Sequence, residues 1–251
     1  MKRLHLYAII VILMVGCAST PLGTVESVAP TPSASTDPGP VAMDRIYNAT
    51  FCLWGKAPKG RAASTAVCIL SDKGYSILAT TGHCYVDGTE YTVSNGGRTY
   101  PATFFAVSST YDLGFLWVKA SLPVASFGSV PRVGARVYAL GNKLGGGHLW
   151  PSEGVYGGRV NKGFSVMSAP IHPGNSGGPV VDANGYLIGI ASRVLVFNRT
   201  QILPTTAMMV PLDNLLEELV ASNIAKALYD RPEQLKGPQK VVMPPLPTEF
   251  E

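Results

Sequence analysis

Seven residues, Pro173-Gly174-Asn175-Ser176-Gly177-Gly178-Pro179, constrain this chain more than any other stretch. Glycines stand on both sides of the serine, and without a Cβ they open backbone conformations closed to other residues. A sharp turn there aims the N–H groups of Gly174 and Ser176 at one spot. Paired donors of that kind stabilise the oxyanion of an acyl-transfer intermediate by about 3–4 kcal/mol per donor. The run that follows, VVDANGYLIGIAS, reads as strand, Asn184-Gly185 turn, strand. A Gly-x-Ser-x-Gly elbow of the α/β-hydrolase kind needs a helix next, so that fold is set aside. The plain alternative is a Gly-rich turn with an incidental serine. Deciding between the two requires a base and an acid elsewhere in the chain.

Both are present. In SILATTGHCYV, residues 76–86, an apolar strand ends in small residues and presents His83. In Tyr111-Asp112-Leu113-Gly114-Phe115-Leu116-Trp117-Val118 an acid directly precedes an alternating apolar strand. Taken alone, His83 reads as a satisfied structural histidine and Asp112 as a solvated turn residue. Rival groups have simpler explanations: His172 shares the loop of Ser176, His148 sits in a Gly-rich stretch, His5 lies near the N-terminus, and Asp87 belongs to an Asp87-Gly88 turn.

Joined in the order His, Asp, Ser, with 29 and 64 positions between them, TTGHC, DLGFL and PGNSGGPV resemble the histidine, aspartate and serine blocks of chymotrypsin-like serine proteases. The likeness is greatest to the Deg/HtrA-like branch, and it runs from about residue 48 to 225. It implies an all-β fold of two six-stranded antiparallel β-barrels with a C-terminal packing helix. Composition agrees, since Gly and Pro are abundant at 27 and 20 residues and charged residues make up only 14%. It also implies a serine endopeptidase that takes polypeptide substrates: Ser176 attacks, His83 moves the proton, Asp112 orients His83, and Gly174 and Ser176 supply the oxyanion hole. No cofactor and no metal is implied, because His, Cys and carboxylates do not cluster at ligand spacing. A binding lipoprotein that kept this fold without turnover is the competing class.

Departures from the family pattern refine the expectation. Asn175 stands where zymogen-activated relatives carry an Asp that binds a freed N-terminal amine, so activation by trimming is not expected. The likeness puts the floor of the specificity pocket at Pro170, beside Ala169, which predicts small or apolar substrate side chains. Ser192, Arg193 and Val194 are the expected edge for substrate backbone, with Arg193 available to acidic substrate residues. Leu212, Leu215, Leu216, Leu219, Val220 and Ile224 recur at helical spacing, with Asp213 as N-cap and Lys226 in the last turn. The Pro-rich tail, 231–251, is too short for a PDZ module.

At the other end, MKRLHLYAIIVILMVGC reads as an export signal: a basic start, an apolar run of about 12 residues, too short for a bilayer span, and a terminal Gly-Cys. Its end resembles a bacterial lipobox, which makes Cys17 a lipidation site and the membrane a partner. An ordinary signal peptide with a chance cysteine is the alternative. Residues 18–42 are a Pro/Ser/Thr-rich spacer, and 43–230 the protease domain, held at the bacterial envelope. Nucleic acid is excluded as a partner, since the net charge of +4 comes from scattered Lys and Arg. Cys52, Cys68 and Cys84 remain, an odd set. The Asp-Lys-Gly turn between Cys68 and Cys84 brings the ends of that hairpin together and favours a Cys68–Cys84 disulfide, a bridge the family likeness also implies. It closes a loop worth roughly 3 kcal/mol in the chain-entropy model. Cys52 is either a buried free thiol or the partner of one of the others.

Overall fold

The computed structural model describes residues 38–57, 60–108, 110–161, 163–197 and 201–221. The expected signal, Cys17, most of the spacer, Ile224, Lys226 and the tail lie outside them. Twelve strands form two closed antiparallel barrels of six. The first is built from β1 (Thr50–Ala57), β2 (Gly60–Asp72), β3 (Tyr75–Thr80), β4 (Glu90–Asn95), β5 (Arg98–Val107) and β6 (Gly114–Val118), in the order β1-β2-β3-β6-β5-β4. The second uses β7 (Arg136–Gly141), β8 (Trp150–Arg159), β9 (Ser165–Met167), β10 (Pro179–Asp182), β11 (Leu187–Phe197) and β12 (Gln201–Pro211), in the order β10-β11-β12-β9-β8-β7. The two-barrel fold expected from the sequence is the fold observed.

Strand alternation sorts the apolar side chains by face. Leu53, Ala66, Leu78, Val93, Phe104 and Leu116, one from each strand, fill barrel 1. Val137, Tyr156, Met167, Val180, Ile188 and Met209 do the same for barrel 2. The opposite faces carry Val67, Ile69, Ala79 and Phe115 from barrel 1 and Leu140, Val181 and Ile190 from barrel 2, and these join in a third cluster between the barrels. Each fully buried Leu, Ile or Phe contributes about 1.5–3 kcal/mol.

Both helices add to that third cluster. Helix α1 (Pro38–Ile46) buries Ala42 and Ile46 there, and Arg45 stacks 4.3 Å from the Tyr186 ring centroid. It starts inside the stretch expected to be spacer, because two apolar residues one turn apart give that segment a face to bury. Helix α2 (Leu212–Ala221) buries Leu212, Leu215 and Leu219 but leaves Leu216 39% and Val220 80% exposed, so its packed stripe is narrower than the sequence spacing suggested. Asp213 is not the N-cap. The helix already includes Leu212, and the Asp213 carboxylate, in the first turn, complements the helix dipole and pairs with Arg159.

Candidate active site

Register brings the first two candidate residues together. Strand β3 pairs with β6 so that Thr80 faces Gly114, which carries the turn after β3 alongside the segment before β6. His83 lies in the 3-10 turn Gly82–Cys84, and Asp112 lies two residues before β6. His83 donates twice to that carboxylate: its backbone N–H to Oδ1 at 3.1 Å, and its ring Nδ1 to Oδ2 at 2.9 Å. The Asp112 side chain is 1% exposed, whereas that of His83 is 35% exposed, so the acid is shielded while the ring reaches solvent. Asp112 also accepts from Ser192 Oγ at 2.5 Å and Arg193 Nη2 at 3.0 Å. Burial alone would raise its carboxyl pKa, but the hydrogen bond and charge of His83, then Ser192 and Arg193, hold it well below the usual carboxylate range. Burial works against the charged form of His83 as well, which by itself would lower the imidazole pKa. Its bonds to Asp112 and Cys84 outweigh that and raise the imidazole above its ordinary 6.5.

Ser176 sits on the loop between β9 and β10, and here the glycines have specific reasons. Gly174 has φ +95°, and a Cβ on it would lie 2.1 Å from the Asn142 carbonyl oxygen. Gly177 has φ +85°, and its Cβ would lie 2.0 Å from Thr80 Oγ1. Three carbonyls of the loop are held from outside it: Leu144 N–H donates to Pro173 O at 2.7 Å, Thr65 Oγ1 to Gly174 O at 2.7 Å, and Thr65 N–H to Ser176 O at 2.9 Å. Within the loop, Asn175 N–H donates to His172 O and Gly178 N–H to Asn175 O, both at 2.9 Å. Among the described residues, the N–H groups of Gly174 and Ser176 have no protein acceptor. The Ser176 hydroxyl donates to the Ser192 carbonyl at 3.0 Å, and no bond between it and the His83 ring occurs among the described residues. Nε2 of His83 is instead 3.5 Å from Thr81 Oγ1.

Asn175 is 2% exposed and neutral, so its burial confines no charge. Ala169 is fully buried in barrel 2, and Pro170 is half-buried beside it on the same loop as Ser176. Ser192, Arg193 and Val194 all lie on β11. Arg193 does not stand free for substrate carboxylates: its guanidinium is turned onto Asp112, 4.8 Å from the Phe164 ring centroid. Asp87 accepts from Gly88 N–H and Tyr85 OH in an exposed turn, consistent with a local structural role.

The expected Cys68–Cys84 bridge is not formed: Cys52, Cys68 and Cys84 are free thiols. Cys68 and Cys84 share the cluster that fills barrel 1, but each sulfur has its own partner: Cys68 Sγ donates to Leu70 O at 3.5 Å, and Cys84 Sγ lies 3.0 Å from Thr81 Oγ1. Cys52 faces the inter-barrel cluster, on the other side of the β1–β2 sheet. Thr65 and Leu144 went unread in the sequence. Thr65 is one small residue in a run of small residues, and Leu144 stands in a Gly-rich loop with φ +57°. Neither has a local signal, because their partners lie 109 and 29 residues away.

Comparison with known proteins supplies an independent line. A family profile described as "Trypsin-like peptidase domain" matches residues 64–190. The serine protease Do-like HtrB of Bacillus subtilis is 31% identical over 202 residues, covering 72% of this chain and 42% of its own. A probable periplasmic serine endoprotease, DegP-like, of Chlamydia pneumoniae is 28% identical over 61% of this chain and 34% of its own length. The chain thus spans well under half the length of these curated relatives. Among solved structures, the serine endoprotease from Yersinia pestis superposes with a TM-score of 0.63 at 27% identity, over 73% of this chain and 65% of that one. The HtrA-type protease AlgW with a tripeptide gives 0.62 at 26%, over 73% and 64%.

Proposed function

From the premise that the chain belongs to the trypsin-like peptidase domain family, with HtrA/DegP-like serine proteases as homologues, we infer that it is a serine endopeptidase acting through an acyl-enzyme, with Ser176 as nucleophile, His83 as general base and Asp112 as its orienting acid. One observation carries the reading: both N–H groups that His83 directs inward end on a single buried carboxylate. With Nδ1–H committed to Asp112, the lone pair of Nε2 is left to take a proton.

The Ser192 carbonyl has a place in the same scheme. It now accepts from Ser176 Oγ, and one step between staggered χ1 wells frees that hydroxyl to turn elsewhere. A substrate backbone N–H that takes over the Ser192 carbonyl releases the hydroxyl toward the imidazole. Attack on the scissile carbonyl follows, and the N–H groups of Gly174 and Ser176, which lack protein acceptors among the described residues, receive the developing oxyanion. Collapse expels the amine, protonated by His83, and water reverses the sequence to release the acid. Ala169 and Pro170 carry no charge, which supports a preference for small or apolar side chains before the cut bond.

Export is supported by the periplasmic relatives and by the N-terminal sequence. In this reading residues 1–17 direct export, Cys17 carries lipid, the spacer holds the protease domain off the bacterial membrane, and the Pro-rich tail follows. A silent, substrate-binding protein is the second reading, favoured by the hydroxyl's present turn toward Ser192. A fluorophosphonate probe on the full chain separates them. The peptidase reading expects covalent labelling that Ser176→Ala removes, together with cleavage of an unfolded protein substrate. No labelling and no cleavage would leave the binder.

A further inference from the structure

Strand β11 departs from regular pairing beside the candidate site. Its register against β12 shifts between Ala191 and Arg193, so Ser192 falls within a bulge. Bulges re-aim side chains, and two consecutive residues here reach one carboxylate: Ser192 Oγ at 2.5 Å and Arg193 Nη2 at 3.0 Å from Asp112 Oδ2. Arg193 Nε also donates to Ser192 Oγ at 3.3 Å, and the guanidinium stacks on Phe164. The arginine side chain is 21% exposed, so water screens it only in part.

Asp112 Oδ2 is therefore shared between the His83 ring and a permanently charged guanidinium. Of the other charged and titratable groups nearby, Cys84, which lies against Thr81, also bears on His83 and together with Asp112 raises its imidazole, while the rest have other partners. Glu217 and Glu218 of α2 accept from Tyr111 OH and Ser108 Oγ, and Arg159 of β8 pairs with Asp213. A cation on the carboxylate opposes a second cation on the same carboxylate. The imidazolium is thereby made less favourable than it would be beside Asp112 alone.

We propose that Arg193 is a positioning residue for this site: from barrel 2 it fixes the Asp112 carboxylate of barrel 1 and draws part of its charge away from His83, which sets the pH at which His83 becomes a competent base. This rests on the assignment of His83 and Ser176 given above. The test uses full-length wild type, Arg193→Gln, which keeps N–H donors without charge, and Arg193→Lys, which keeps charge. The second-order rate of fluorophosphonate inactivation is followed from pH 5 to 10, and His83 is titrated by NMR in the Ser176→Ala background.

Arg193→Gln is expected to move the acid limb and the His83 titration upward together by about one pH unit, a roughly tenfold loss of rate on the rising limb. Arg193→Lys falls between it and wild type. Coincident or downward-shifted curves for Arg193→Gln overturn the proposal, as does an Arg193→Lys shift as large as that of Arg193→Gln. Wild type that is never labelled, with the NMR shift still present, overturns the peptidase reading and leaves the charge assignment standing.

Discussion

Thr65 ties barrel 1 to the serine loop of barrel 2, and the substitution Thr65→Val isolates one part of that link. The residue is fully buried, and its hydroxyl makes two bonds, donating to Gly174 O at 2.7 Å and accepting from Asn142 N–H at 2.9 Å. Valine keeps the shape and removes both. Each partner left unsatisfied costs about 1–3 kcal/mol, so global stability should fall by roughly 2–6 kcal/mol. The effect on chemistry is bounded differently. Losing one oxyanion donor outright costs about 3–4 kcal/mol. Here the Gly174 N–H, the proposed oxyanion donor, is loosened and not removed, because Leu144 N–H still holds Pro173 O and Thr65 N–H still holds Ser176 O. About half the bound remains as the expected loss, a ten- to thirtyfold fall in kcat at about 1.4 kcal/mol per tenfold. Substrate in its ground state does not use the oxyanion donors fully, so KM should stay within about twofold. Stopped-flow acylation by p-nitrophenyl acetate, run well below the melting temperature of each variant, reads both quantities. Thr65→Ser restores the hydroxyl and should restore kcat. A Thr65→Val variant with wild-type kcat, or a Thr65→Ser variant as slow as Thr65→Val, would refute the coupling.

Two further outcomes follow from the same geometry. Gly174→Ala places a methyl 2.1 Å from the Asn142 oxygen in a conformation with φ +95°, and should cut fluorophosphonate labelling about a hundredfold or more while circular dichroism stays that of a β protein. The stability difference between wild type and Asp112→Asn should be largest between pH 4 and 6.5, measured by urea unfolding across pH 2–10. Asp112, depressed below its ordinary 3.8, stabilises the fold above that pH and loses the contribution as pH falls. His83, raised above 6.5, stabilises it fully below that pH and loses the contribution as pH rises through its folded value. A difference that stays flat across this range would show that the pair does not couple to folding.

What could be read from the sequence was what local chain chemistry encodes. The turns Lys73-Gly74 and Asn184-Gly185 have glycines at φ +84° and +79°, and strands on both sides alternate as their residues require. Gly174 and Gly177 stand at two positions too crowded for a Cβ, so the glycine pattern around Ser176 was legible in the sequence even though its meaning needed the histidine and aspartate blocks. Arg193 was legible as a residue near the site but not in its role. A sequence records that an arginine follows a serine on a strand; only the bulge at Ser192 and the approach of barrel 1 give it a carboxylate. The Cys68–Cys84 hairpin was read correctly as strand, turn, strand, and the bridge did not follow. Closeness along a hairpin brings two cysteines into one core without bringing sulfur to sulfur.

The two barrels divide the proposed site in a way that explains why no single segment could reveal it. Barrel 1 supplies His83 and Asp112, whose approach is set by the β3–β6 register, and barrel 2 supplies Ser176 on a loop. Left to itself, each half is an ordinary feature: a histidine bonded to an acid, and a glycine turn. Alignment between them depends on polar contacts crossing the apolar interface, Thr65 to the serine loop in one direction and Ser192 and Arg193 to Asp112 in the other. Apolar packing there resists separation of the barrels but is non-directional. Directional hydrogen bonds, buried so that leaving them unmade is costly, fix the residual rotation and slide. Variants that weaken these crossings should therefore lose turnover before they lose the fold, whereas truncations in the inter-barrel cluster such as Phe115→Ala should lose both together.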